Sequence, residues 1–167
     1  MSTIVKLLGA ALVLSGCTAT GCILAGRLCR RRQLAALLEC YWGDYLRRME
    51  LTAQPPASIA KALAQCTAYR EVPFVQALAA QPEGDFGKIL LEVMQKQELP
   101  ESLQKAMLPL AETLGHTPMD TEKQVLLGVL AALRREEKYW AEQENRQGAL
   151  FRRLGVLGGL ALVVLLI

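Results

Sequence analysis

The distribution of charge along this chain limits its possible folds more than any other feature. Residues 4–26 contain one charged side chain, Lys6, and residues 154–167 contain none, whereas 18 of the 19 Lys and Arg residues lie from Arg27 to Arg153. A hydrophobic share of 52% is high for a chain that is wholly exposed to water, so part of the apolar surface is expected to face lipid. The charged middle, roughly 120 residues long, is sufficient for one hydrophobic core.

The N-terminal apolar segment is long enough to cross a bilayer. As a helix, residues 4–26 would extend about 35 Å, which exceeds the roughly 30 Å thickness of the hydrocarbon core. Gly21 and Ala25 lie four residues apart, on one helix face that a second helix can approach closely. We therefore predict a transmembrane helix over 4–26.

The C-terminal apolar segment is shorter. Residues 154–167 would extend about 21 Å as a helix, and a start at Leu150 brings the length to about 27 Å if the two intervening arginines reach back to the headgroups. Gly155 and Gly159 have the spacing that lets two helices pack backbone to backbone. We predict a second transmembrane helix over 149–167, with a helix lying in the interface as the alternative.

Arginine clusters flank the charged middle on both sides. They consist of Arg27, Arg30, Arg31 and Arg32 after the first apolar segment, and of Arg152 and Arg153 before the second. Positively charged segments next to membrane helices remain on the cytoplasmic side. The sequence therefore predicts a two-pass protein of the cell membrane in which residues 27–148 form a cytoplasmic domain.

A lipoprotein signal is the competing interpretation of the N-terminus. Leu14-Ser15-Gly16-Cys17 follows an apolar run, as in a bacterial lipoprotein whose cysteine is acylated after cleavage. The apolar run continues past Cys17 through Leu24, where a mature lipoprotein turns polar. The alternative function is a lipid-anchored extracytoplasmic binding protein acylated at Cys17.

The charged middle has the periodicity of amphipathic helices. Apolar residues recur at i, i+3, i+4 and i+7, and no alternation of period two is sustained, so no strand is predicted. The predicted helices cover 34–49, 59–66, 74–78, 86–94 and 103–114, followed by a last helix that begins at Thr117, Pro118 and Asp120 and runs toward the C-terminal segment. Pro73 is expected to open the third helix and Gly115 to close the fifth, with His116 in the turn that follows. The Thr117 hydroxyl can accept from an N–H in the first turn of the last helix. The predicted fold class is all-α: a cytoplasmic bundle of about six helices flanked by an N-terminal and a C-terminal transmembrane helix.

Signatures of catalysis are missing from the sequence. His116 is the one histidine, and Glu136 and Glu137 are adjacent, so their side chains diverge by about 100° on a helix. The sequence also lacks a phosphate-binding glycine loop and a nucleophile elbow. We predict that the protein is not an enzyme and has no catalytic, cofactor-binding or metal site. The net charge of +3 and the 5% aromatic content also argue against nucleic acid as a partner.

Four short segments stand out by their order and spacing. They are Lys6-Leu7-Leu8-Gly9 with Gly21 and the following arginines, Glu112-Thr113-Leu114-Gly115 with Gln124 and Leu127, Leu133 with the charged run after it, and Leu154-Gly155-Val156-Leu157-Gly158. Together they resemble the stage III sporulation protein AB family of endospore-forming bacteria. The resemblance covers nearly the full chain. It departs from the family pattern after the first predicted bundle helix, where the chain reads Gln54-Pro55-Pro56-Ala57.

The resemblance implies a role in a mother-cell membrane complex that joins mother cell and forespore during engulfment. It also implies similarity to the cytoplasmic helical domains of type II secretion and type IV pilus platform proteins. The expected partners are other membrane proteins of the sporulation complex, a cytoplasmic secretion-type ATPase and membrane lipid. The expected function is that of a non-enzymatic platform or scaffold.

Overall fold

The computed structural model describes residues 2–52, 54–81, 84–97 and 99–148, together with Leu150, Leu154 and Leu157. Every regular element in this part of the chain is a helix, which confirms the predicted all-α class. The helices are α1 (Ser2–Leu51), α2 (Pro56–Ala64), α3 (Pro73–Ala79), α4 (Phe86–Lys96), α5 (Glu101–Thr113) and α6 (Met119–Gln143), followed by a π-helical turn (Glu144–Gly148).

The chain divides into two compact units. The first unit comprises Met1–Gln33 and Glu137–Ile167, and the second comprises Leu34–Glu136. The second unit contains most of the residues that were predicted to form the helical bundle.

Helix α1 combines the N-terminal apolar segment with the first predicted bundle helix. No proline interrupts Ser2–Leu51, and Pro55 and Pro56 follow soon after its end, where a helix cannot continue through the residue before proline. Among the described residues, no helix is both long enough and apolar enough to cross a membrane. The transmembrane helix over 4–26 therefore stays a prediction.

Several predicted features lie outside the residues that the structure describes. They are Arg152, Arg153, Gly155, Gly159, the side chain of Cys17 and, apart from three leucines, the whole predicted membrane helix over 149–167. These features stay predictions.

An aromatic cluster at the C-terminal end of α1 forms the centre of the second unit's core. Tyr41, Trp42 and Tyr45 are fully buried. The ring of Tyr41 lies 5.5 Å from that of Tyr69, edge to face, and the ring of Tyr45 stacks on Phe86 at 6.4 Å. The Trp42 indole Nε1 donates a hydrogen bond to the sulfur of a methionine in α5 at 3.3 Å. Since the i, i+3, i+4 pattern of α1 places these rings on one face, the pattern predicted the core correctly.

Two tyrosine hydroxyls in this cluster are buried without a hydrogen-bond partner among the described residues, those of Tyr41 and Tyr45. Burial raises the pKa of both groups well above its usual value, so both remain neutral. Tyr69 differs because its hydroxyl donates to Asp44 Oδ2 at 2.6 Å. The aromatic rings therefore stabilise the core chiefly through apolar packing.

Helices α4 and α5 approach each other closely at Gly87. A Cβ atom at this position would lie 1.9 Å from the backbone oxygen of Ala111, a separation that two heavy atoms cannot adopt. Both residues are buried. Only glycine permits this contact between the two backbones.

The residues that begin the helices agree only in part with those predicted. Pro73 occupies the first helical position of α3, as predicted. Pro56 occupies that of α2, although the sequence had placed this proline only after the end of α1. Thr117 was predicted to accept from an N–H in the first turn of α6, and this prediction is wrong. Its hydroxyl instead donates to the Thr113 carbonyl at 3.1 Å, because this carbonyl at the end of α5 is an available acceptor. The amides of the first turn of α6 bond to the Pro118 carbonyl.

Candidate docking surfaces

The segment Glu112-Thr113-Leu114-Gly115, one of the four that carry the family resemblance, ends α5 and turns the chain toward α6. Leu114 is fully buried, and Gly115 has a φ of +84°, the left-handed conformation that glycine adopts after a helix. The Gly115 N–H donates to Glu122 Oε1 at 2.7 Å, and Glu122 is only 8% exposed. A nearly buried carboxylate of α6 therefore holds this turn in place.

A cleft of about 450 Å³, which we call the motif cleft, lies beside this turn. It is lined by Pro55, Pro56, Ala57, Ser58, Gly84, Asp85, Phe86, Leu114, Gly115 and His116. The motif cleft therefore contains residues from two of the segments considered above. Pro55-Pro56-Ala57 belongs to the segment that departs from the family pattern, and Leu114-Gly115 belongs to a segment that carries the resemblance.

Asp85 dominates the electrostatics of the motif cleft. Its Oδ1 accepts from the Lys88 backbone N–H at 3.2 Å and from His116 Nε2 at 2.9 Å, and its Oδ2 lies 3.2 Å from Lys88 Nζ. The hydrogen bond from His116, followed by the one from the Lys88 backbone, lowers the pKa of Asp85 to about 2. Asp85 is thus an ionised cap of α4, and His116 lies in the turn after α5, where it was predicted.

Asp85→Asn is expected to flatten the acid dependence of stability. A carboxyl group whose folded-state pKa is lowered stabilises the fold above its ordinary pKa of 3.8, and this contribution is lost as the pH falls toward 2. Asparagine keeps the cap on Lys88 but loses the charge. We expect a Tm about 3 °C below that of the wild type at pH 6, with the two values converging near pH 2.

Thermal unfolding followed by circular dichroism from pH 6 to pH 2 measures this difference. Glu112→Gln is the control, because Glu112 is exposed in the last turn of α5 and makes no hydrogen bond or ion pair with a described residue. A difference between Asp85→Asn and the wild type that is independent of pH would contradict the assigned ionisation of Asp85.

Three further residues that carry the family resemblance lie on α6, where some are buried and others exposed. Leu133 is fully buried, whereas Leu127 is 48% exposed and Gln124 is exposed. Gly128 is exposed as well, and a Cβ there would have no neighbour within 4 Å. We call the exposed surface formed by Gln124, Leu127 and Gly128 the α6 face. The fold of the second unit explains the burial of Leu133 but gives no reason for a leucine at position 127.

Ion pairs join α1 to α6 within the second unit. Glu39 Oε1 accepts from Arg134 Nε at 2.5 Å, and Glu50 pairs with Lys123. In both pairs α1 contributes the carboxylate and α6 the cation. Arg134 opens the charged run at the end of α6 and remains 66% exposed despite this ion pair.

The first unit contains the predicted arginine cluster, and its members have different environments. Arg32 pairs with Glu137 at 3.5 Å and with Glu144 at 3.2 Å, and these two carboxylates raise its pKa, the Glu144 hydrogen bond most strongly. Arg31 lies over the ring of Trp140, with its guanidinium carbon 4.9 Å from the ring centroid. Arg27 and Arg30 are also exposed. Sequence reasoning found the cluster but not the special environment of Arg32.

A second cleft, of about 300 Å³, lies in the first unit on the side of α1 that faces the π-helical turn. It is lined by Cys22, Ala25, Gly26, Cys29, Glu144 and Gly148. These contacts show that the small residues of α1, including Ala25 of the predicted small-residue pair, lie beside the chain that follows α6. That a second helix approaches this face closely stays a prediction.

Within the described residues, no group of three or more His, Cys, Asp or Glu side chains is placed to hold a metal ion. What the two units offer instead is exposed surface: the motif cleft, the α6 face and the arginine cluster. These features define the class of protein as a helical domain with candidate docking surfaces.

The family assignment follows from the sequence model of stage III sporulation protein AB, which matches residues 6–167. The chain therefore belongs to the stage III sporulation protein AB family, as the resemblance indicated, and is a sporulation protein. No curated protein and no solved structure is significantly similar to it.

Proposed function

We propose that this chain is a non-enzymatic scaffold of a secretion-like sporulation complex that links mother cell and forespore. In this proposal, the segments 4–26 and 149–167 cross the mother-cell membrane and residues 27–148 lie in the cytoplasm. Partners bind the helical domain. They comprise other membrane proteins of the complex and a cytoplasmic secretion-type ATPase.

The exposure of the α6 face is the observation that carries this proposal. Gln124 and Leu127 belong to the pattern by which the chain resembles its family, yet both lie on the surface of the second unit. A half-exposed leucine beside an open glycine offers a partner apolar area and a close approach of its backbone. Such a surface suits a protein that binds other proteins.

The architecture of α1 supports the anchoring part of the proposal. The apolar segment 4–26 and the buried aromatic cluster belong to the same helix, Ser2–Leu51. The exposed arginines that follow the apolar segment have the position expected of a cytoplasmic membrane boundary.

Cysteine labelling in intact cells tests the proposed topology. Reporters are placed at Ser2, Gln95 and Ile167 in a background in which the five native cysteines are replaced, and a membrane-impermeant maleimide is added. Gln95 is exposed in α4, so a cysteine there is accessible within the fold. We expect labelling at positions 2 and 167 in intact cells, and labelling at position 95 only after permeabilisation.

Labelling of position 95 from outside intact cells would contradict the cytoplasmic placement. Incorporation of a fatty-acid probe that is lost in Cys17→Ser would then assign the chain to the lipid-anchored extracytoplasmic class. Labelling at position 95 after permeabilisation shows that the site is reactive and serves as the control.

A further inference from the structure

The arginine cluster of the first unit contains two functionally different sets of side chains. Arg32 forms ion pairs within the first unit, because Glu137 and Glu144 both lie within 3.5 Å of its guanidinium group. Arg27 and Arg30 make no hydrogen bond or ion pair with any described residue. Arg31 contacts an aromatic ring and no described carboxylate. Three guanidinium groups are therefore available to an external anion.

These three arginines follow an exposed apolar surface of α1 along the helix. Ile23, Arg27 and Arg30 follow the i, i+4, i+7 spacing, so they share one face of the helix. Ile23 is 59% exposed and Leu24 is 39% exposed. The opposite face of α1, which includes Cys22 and Cys29, lies toward the π-helical turn. The outward face of α1 thus changes within two helical turns from apolar to basic.

Two aromatic side chains near the C-terminal end of α6 lie beside the arginines of this surface. Tyr139 is 51% exposed, and its ring meets that of Trp140 edge to face at 5.1 Å. Trp140 in turn lies under the Arg31 guanidinium group. Tyrosine and tryptophan concentrate at the level of lipid headgroups, because their rings are apolar and each carries one polar group.

The net charge of this part of the first unit is positive. Residues 21–33 and 137–148 contain six basic and three acidic side chains, a difference of 6 − 3 = +3. Two of the three acidic side chains are engaged by Arg32. Glu142 is the third, so basic side chains predominate in these two segments.

We propose that Arg27, Arg30 and Arg31 bind the phosphate groups of anionic phospholipids at the membrane surface, while Arg32 holds the first unit together. The guanidinium group matches phosphate oxygens through paired hydrogen bonds. The apolar face below the arginines and the aromatic pair beside them suit the edge of a bilayer. This inference rests on the proposed membrane anchoring and adds the chemistry of the lipid.

Lipid selectivity of the reconstituted full chain tests the inference. The chain is inserted into phosphatidylcholine vesicles that contain phosphatidylglycerol, and spin-labelled forms of the two lipids report their relative association with the protein. Near a membrane surface one arginine contributes about 1 kcal/mol, which is roughly fivefold in an association constant. We expect a preference of that size for phosphatidylglycerol, weakened by added salt.

Three variants separate the two sets of arginines. The triple variant Arg27→Gln, Arg30→Gln, Arg31→Gln should bring the preference close to one. Arg32→Gln should retain the preference and lower the thermal stability of the chain. Substitution of the same three arginines by lysine keeps the charge and should retain most of the preference.

A matched control removes the same charge from the second unit through Arg47→Gln, Lys88→Gln and Lys105→Gln, three exposed residues, and should leave the preference unchanged. An unchanged preference in the Arg27, Arg30, Arg31 triple glutamine variant would overturn the inference. An equal loss in the matched control would also overturn it, because net charge alone would then explain the preference. Binding of duplex DNA that depends on the same arginines would assign the face to polyanions in general and overturn its assignment to lipid.

Failure of the anchoring and failure of the lipid inference give different results. If alkaline carbonate washes the wild-type chain from the vesicles, the proposed membrane anchors are wrong and the lipid inference falls with them. If the chain resists the wash but shows no lipid preference, the anchors stand and only the inference is overturned.

Discussion

Gly87→Val is expected to unfold the second unit. The Cβ atom would lie 1.9 Å from the backbone oxygen of Ala111, and a backbone atom cannot move aside as the end of a flexible side chain can. Helices α4 and α5 would have to separate and expose buried neighbours such as Leu90 and Leu110. We expect a loss of more than about 3 kcal/mol in the free energy of unfolding, an effect at the upper end for single substitutions.

Urea denaturation followed by circular dichroism measures this loss. Gly128→Ala is the matched control, since a Cβ at Gly128 has open space in α6, and alanine in place of a helical glycine should stabilise by about 0.5–1 kcal/mol. A Gly87→Val variant as stable as the wild type would show that the close contact between α4 and α5 is wrong.

Leu127→Glu is expected to abolish most spore formation without unfolding the protein. Leu127 is 48% exposed, and glutamate is a good helix former, so the fold of the second unit should persist. A leucine at the centre of a protein interface contributes about 2 kcal/mol or more, which corresponds to a loss of affinity of roughly thirtyfold. We expect at least a tenfold fall in heat-resistant spores.

The control for this experiment is Leu108→Glu. Leu108 is 43% exposed in α5, so it matches Leu127 in residue type and exposure, but it is not among the residues that carry the family resemblance. Spore counts should be close to those of the wild type in this variant, and immunoblots should show equal amounts of both proteins. Normal sporulation in Leu127→Glu would show that the α6 face is not a docking surface. A null strain that sporulates normally would contradict the scaffold function itself.

The helices were predictable wherever local chemistry determines them. Pro56 and Pro73 fix the starts of two helices because proline suits the first helical position, and the apolar spacing of α1 identified its buried aromatic face. Gly115 was predicted to end α5, and its φ of +84° agrees. The Asp85 cap of α4 was overlooked, although an aspartate directly before an apolar run is a known helix-start signal.

The features that could not be predicted depend on contacts between distant residues. Gly87 gives no local signal of its role, because the backbone that it meets belongs to Ala111, in another helix. In the same way, the four arginines after the apolar segment look alike in the sequence. Only the positions of Glu137 and Glu144, 105 and 112 residues beyond Arg32, distinguish the one that is held internally.

The two ion pairs between α1 and α6 in the second unit also record the relative direction of these helices. Glu39 pairs with Arg134 and Glu50 pairs with Lys123, so eleven residues forward along α1 correspond to eleven residues backward along α6. The two helices therefore run antiparallel in this unit. A slip of one helix along the other by a single turn would separate both pairs at once.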